Sequence, residues 1–191
     1  MTAAGTDGAT EGMDVVDLLL AQHARIEELF RTVASSDGTA RRDAWQELVT
    51  LLAVHETAEE EIVHPLARGS IDAGNDVVDA RLAEERQAKE LLKDLVDDGI
   101  DAPDFDVRLS RLKTAVLEHA TREERYEFVQ LRAAQPARRL VALAAAVRAA
   151  EAVAPTRPHP GVESATANLL LGPPVAVVDA VRNAIRDATR D

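Results

Sequence analysis

The chain contains no cysteine, so disulfides, thiolate zinc sites and cysteine nucleophiles are excluded. Aromatic residues make up only 3% of its 191 positions, and Ala, Glu, Leu and Arg are abundant, which points to helices. Positive charge is short: 22 Lys and Arg face 34 Asp and Glu, and the net charge of −12 argues against a nucleic-acid backbone or an anionic membrane as partner. The longest strongly apolar runs, such as LVALAAAV at 140–147, fall far short of the ~20 residues that span a bilayer. The opening MTAAGTDGATEG has neither a basic start nor an apolar centre. No secretory signal is expected, and the reading is a soluble cytoplasmic protein.

What is present is helical periodicity. Val15, Leu18, Leu19, Ile26, Leu29 and Phe30 recur at the spacing of one helix face. A second helix carries Trp45, Leu48, Leu51, Leu52, Ile62 and Val63 and is expected to end near Pro65. A third spans about Asp76 to Val96, and a fourth about Phe105 to Ala133. Short breaks such as SSDG and DDGIDAPD join them, so neighbours run antiparallel. The expected fold is all-α: an up-down-up-down four-helix bundle over 13–135, after a disordered tail of 1–12. Residues 136–191 form a helical extension that packs on the bundle or on another subunit. It holds an Ala-rich helix at 137–153, an irregular loop with a structural His159, and an amphipathic helix at 172–191.

The polar residues on the inward faces carry the chemistry. His55 and Glu59, and again His119 and Glu123, are four apart and so project together. His23 stands on the apolar face of the first helix. In the third, Glu85 has apolar residues at the following face positions, which turns it inward and leaves Glu84 as its solvated neighbour; that offset is what chooses between the two. Buried carboxylates need compensation. Six such donors, drawn from four helices, suit a metal site, and two ions suit them better than one. Mixed nitrogen and oxygen donors with an open position favour iron, with manganese as the alternative. His64, nine residues past His55, falls on the opposite side of a regular helix and reads as a cap or surface histidine, or else as support behind the ligands. Tyr126, one turn beyond Glu123, reads either as packing with a hydroxyl hydrogen bond or as a residue close to the metal.

The ordered motifs LLAQHARIEELF, HETAEEEIVHP, RLAEERQAKELL and HATREERYEF resemble the hemerythrin-like, HHE cation-binding domain family over about residues 14–133. The tail RPHPGVESATANLLLGPP is similar to that of actinobacterial members. The resemblance implies two non-haem irons with an oxo or hydroxo bridge, Glu59 and Glu123 bridging, and His23, His55 and His119 as terminal ligands. Where the family usually has a third-helix His, this chain has Glu85. A carboxylate there adds a negative charge, favours ferric iron and lowers the potential.

The expected function is therefore binding or turnover of a small oxidant (peroxide, oxygen or nitric oxide), catalase-like or oxidase-like rather than reversible oxygen carriage. The alternatives are a non-catalytic oxygen or redox sensor, an oxygen- or iron-binding protein, and a metal-free structural bundle. A homodimer or an unknown protein partner would engage through the extension.

Overall fold

A computed structural model describes residues 12–153. The expectations for residues 1–11, His159 and the helix at 172–191 lie outside the described residues. The order is α1 (Val15–Ser35), α2 (Gly38–Ala58), α3 (His64–Ser70), α4 (Gly74–Asp98), α5 (Phe105–Arg122), α6 (Phe128–Ala134) and α7 (Ala137–Val153). Two π turns, Glu59–Val63 and Glu123–Glu127, join α2 to α3 and α5 to α6 as continuous rods. With α1 and α4 these rods make the four-helix bundle, and the described residues contain no strand.

Local chemistry starts and stops these helices. Asp14 accepts a hydrogen bond from the backbone N–H of Asp17 at 2.9 Å, and Asp17 returns the contact to Asp14 N–H at 3.3 Å. This reciprocal cap satisfies donors that the first turn leaves open. Arg132 of α6 adds a fork to Asp14 at 2.9 and 3.0 Å, pinning the start of α1 to the end of the fourth rod. Gly99, at φ 81°, ends α4. Gly74 is required by crowding: a Cβ there would stand 2.6 Å from the Ala67 carbonyl oxygen and 2.8 Å from that of Arg68.

The second rod does not end near Pro65. It continues to Ser70, with Pro65 in the first turn of α3, where a missing N–H is tolerated.

The hydrophobic core is interrupted. One cluster gathers Val15, Leu19, Val54, Ile62, Phe128 and Leu131. Into it α7 inserts Leu140, Leu143, Ala144 and Val147, so this part of the extension packs on the bundle. The other joins Ile26, Phe30, Trp45, Leu48, Leu92, Phe105 and Leu112, with the Trp45 and Phe105 rings edge to face at 5.1 Å. On α1 the two clusters part between Leu19 and Ile26, and Gln22 and His23 fill that interval, both buried. The last rod changes cluster between Val116 and Phe128, across His119 and Glu123. A polar layer thus lies between two apolar ones.

Candidate metal centre

Into this layer the helices bring His23, His55, Glu59, Glu85, His119 and Glu123. All six are buried, and Glu59 and Glu123 have no exposed surface. Two overlapping sets form, in each of which one donor atom per residue lies within 4.8 Å of the others. The first is His23, His55, Glu59 and Glu123; the second is Glu59, Glu85, His119 and Glu123. Glu59 and Glu123 belong to both.

Each imidazole is held from behind. His55 Nδ1–H donates to Gln22 Oε1 at 2.7 Å, His23 Nδ1–H to Glu124 Oε1 at 2.8 Å, and His119 Nδ1–H to Glu84 Oε2 at 3.1 Å. Phe128 stacks on the His23 ring at 5.8 Å. With Nδ1 committed as donor, all three rings turn Nε2 toward the interior, the arrangement that outer carboxylates and carbonyls impose on metal-binding histidines. Glu84 is therefore the support of His119, and Glu85 is the residue that faces the cluster.

The spacing fits cations. His23 Nε2 is 3.1 Å from His55 Nε2. His55 and His119 Nε2 each lie 3.3 Å from the carboxylate one helical turn on, and His23 Nε2 lies 3.5 Å from Glu123. His119 Nε2 is 3.8 Å from Glu59. Donors about 2.1 Å from one ion stand about 3.0 Å apart at right angles and about 4.2 Å when opposite. Both oxygens of Glu59, both of Glu123, Glu85 Oε2 and His119 Nε2 are buried without a hydrogen-bond partner. Orphaned acceptors on this scale call for a counter-charge, and the donor set fits one or more metal ions.

Electrostatics says the same. Burial lowers the His119 imidazole, but Glu123 and Glu59 outweigh it and push it up to about 12. Burial and the Glu123 charge raise Glu59 to about 8. Burial would raise Glu123 too, yet His119 and His23 hold it well below the usual carboxylate range. Burial and the neighbouring His23 keep His55 neutral, well below an ordinary imidazole.

Glu84, read as solvated, is half-buried against His119 and Arg122; the surroundings depart from the sequence reading at two further places, for one reason. His64 is neither a cap nor a surface residue but takes the other reading, a support behind a ligand: it is buried, its Nε2 2.5 Å from Glu85 Oε1 and its Nδ1 3.3 Å from Glu127 Oε1. Tyr126, expected on the metal face, is 61% exposed. In the π turns, His64 N–H bonds to the Glu59 carbonyl and Phe128 N–H to that of Glu123. Each wide turn absorbs an extra residue. His64 then sits as if eight residues past His55, roughly 80° round rather than 180°. The same shift carries Tyr126 outward and brings the fully buried Glu127 in. Glu127 and the supports Gln22 and Glu124 were missed; no residue type announces a π turn.

Beside the layer lies a cavity of about 20 Å³ lined by His23, His55, Glu56, Glu85 and His119 against Leu52, Ala88 and Val116. It has room for about one water-sized molecule. From its wall a chain of ion pairs leads outward: Glu56 to Lys89 at 3.3 Å, and Lys89 to the exposed Glu60 at 2.6 Å.

Comparison with known proteins bears on this geometry. A family model described as the hemerythrin HHE cation binding domain matches residues 14–131. A DNA nickase from Nostoc sp. is 24% identical over 123 residues, covering 64% of this chain but only 34% of that protein. The chain thus spans about a third of that relative's length. Among solved structures, a hemerythrin HHE cation binding domain-containing protein from Mycobacterium kansasii superposes with a TM-score of 0.66 at 21% identity. The match covers 88% of this chain and 99% of that one. It concerns the fold, and no described helix is long and apolar enough to cross a membrane.

Proposed function

Because the chain belongs to the hemerythrin HHE cation-binding family, we propose that its polar layer holds two iron ions and acts on a small oxidant: peroxide, oxygen or nitric oxide. Peroxide and oxidase-type chemistry is favoured over reversible oxygen carriage. One observation carries the reading: Glu59 and Glu123 belong to both donor sets, and none of their four oxygens has a hydrogen-bond partner. Shared carboxylates between adjoining positions are the natural bridges of a two-ion centre. His23 and His55 would complete one position, and His119 with Glu85 the other.

When bound, the ions supply Lewis acidity and exchangeable electrons. The chain's own residues supply the rest. Gln22, Glu124 and Glu84 fix the ring orientations, so the donors need no rearrangement during turnover. The apolar wall of Leu52, Ala88 and Val116 excludes bulk water, and the cavity's size admits only molecules of a few atoms. Glu56 Oε2, in contact with Lys89, is placed to pass a proton between the cavity and Glu60 at the surface. Glu85 offers a hard oxygen donor where the family usually has imidazole, which suits ferric iron, while His64 at 2.5 Å offsets its charge.

The test is metal analysis of protein purified without added metal, followed by peroxide assay. About two irons per chain, near-ultraviolet absorption, and oxygen evolution abolished in His119→Ala and Glu123→Ala are expected. A chain without iron refutes the centre. A reduced protein that takes up oxygen and returns it on purging refutes the preference for peroxide.

A further inference from the structure

On the far side of Glu84 from His119 the surface opens into a second, larger cavity of about 650 Å³, lined by Arg81, Leu117, Glu118, Arg122, Arg125 and Tyr126, with two threonines. Three arginines face one glutamate in its wall, on a chain whose net charge is −12. Arg81 is buried; its Nη1 lies 3.2 Å from Glu84 Oε2 without forming a hydrogen bond, and its Nε has no acceptor. Glu84 is shared between the Arg81 and Arg122 guanidiniums, so a further anion beside them is favoured. Arg125 is exposed and makes no ion pair among the described residues. Leu117 and the largely exposed Tyr126 add apolar surface. The volume is that of a small-molecule site.

This cavity is wired to the polar layer twice. Glu84 accepts from Arg122 Nη1 at 2.9 Å on one oxygen and from His119 at 3.1 Å on the other, and Arg81 Nη1 lies 3.2 Å away. The π turn Glu123–Glu127 turns Glu123 into the layer and carries Arg125 and Tyr126 to the cavity.

We propose that this cavity binds a small organic anion, a phosphate monoester or carboxylate with a flat apolar body, and that its occupancy is felt at the metal centre through Glu84. The arginines clamp the anionic head, while Leu117 and Tyr126 flank the body. An anion on Arg81 and Arg122 competes with Glu84, which loosens the support of His119. Binding stands without the metal reading; its communication rests on it.

Calorimetric titration of the full chain, metal-free and iron-loaded, with phenyl phosphate at constant ionic strength tests both steps. Saturable binding is expected in both forms. Inorganic phosphate, which lacks the apolar body, binds more weakly. Arg125→Gln, an exposed change that leaves the fold alone, weakens binding about tenfold, the worth of one charge-assisted hydrogen bond. Glu84→Gln tightens it by releasing the arginines. In the iron-loaded protein, saturation shifts the metal absorption bands, and in Glu84→Gln it does not. Absence of saturable binding, or full affinity in Arg125→Gln, overturns the site. Equal affinity for inorganic phosphate overturns the organic ligand class, and unmoved bands at saturation overturn the communication. Arg125-dependent binding in a chain that takes up no iron keeps the anion site and removes the metal centre instead.

Discussion

His64 and Glu85 meet inside the bundle with 2.5 Å between Nε2 and Oε1, and the far nitrogen of the same ring reaches Glu127 at 3.3 Å. Both acceptors are carboxylates, so both ring nitrogens donate. Burial opposes the charge on the imidazole, but Glu127 and Glu85 push it up to about 10. The ring therefore returns positive charge where Glu85 adds negative, and it leaves Glu85 Oε2 free to face the layer.

His64→Ala is accordingly expected to weaken the ion position formed by Glu59, Glu85, His119 and Glu123 by about ten- to a hundredfold, the usual effect of removing an outer partner of a ligand. His64→Gln keeps one donor and should lose less. Competition with a chelating dye, read alongside iron per chain, measures it. Wild-type affinity in His64→Ala would mean that Glu85 is placed by something else.

The close approach of α3 and α4 makes opposite predictions at adjacent residues. Gly74→Ala puts a methyl 2.6 Å from a backbone oxygen, which a flexible side chain cannot relieve. A loss of about 1–3 kcal/mol is expected. Ala73, at φ 51°, is a non-glycine residue in the left-handed region. Ala73→Gly should stabilise by about 1 kcal/mol, by removing the penalty of a Cβ there. Urea melts of the two variants decide, and shifts of the same sign would contradict the backbone geometry.

How much of this was legible follows from where helical phase is preserved. Within α1, and from Phe105 to Glu123, 3.6-residue counting places Ile26, Leu29, Leu112 and Val116 inward, as found, and turns His23 and Glu123 into the same interior. Glu85 could be told from Glu84 because each neighbour of an inward residue on α4 is turned about 100° away. Within and beyond each π turn the count slips, and there His64 and Tyr126 were misplaced and Glu127 was missed. A wide turn is a backbone choice, stabilised here by what it lets the side chains reach, and no local propensity encodes it.

The cap of α1 gives a pH prediction at the acid end. Burial alone would raise Asp14, but Arg132 and the backbone N–H of Asp17 lower it below its ordinary 3.8. A carboxylate lowered on folding contributes stability that is present above its unfolded value and is lost as pH falls through the folded one. Asp14→Asn retains a capping acceptor and loses only the charge. It should melt below wild type at pH 6 and converge with it below about pH 3. Asp14→Ala loses the cap as well, about 1 kcal/mol at any pH. A constant gap between Asn and wild type across this range would show that the Arg132 pair contributes nothing.

Metal loading should acidify the solution. At neutral pH the ion-free cluster carries a proton on His119, pushed up to about 12, and one on Glu59, raised to about 8. A cation held by His119 and Glu59 would need the imidazole lone pair and an unprotonated carboxylate, and would displace those protons. Each loaded chain should then release at least one, and affinity should rise with pH and collapse in acid. Manganese(II), or ferrous ion without oxygen, keeps redox chemistry from adding protons of its own, and a pH indicator in weakly buffered solution reads the release. His119→Gln removes one source and should lower the yield along with the affinity. Loading also raises the melting temperature with free ion concentration, because the ion binds the assembled site far better than the unfolded chain. Ion uptake with no proton released would mean that the metal sits somewhere other than on His119 and Glu59.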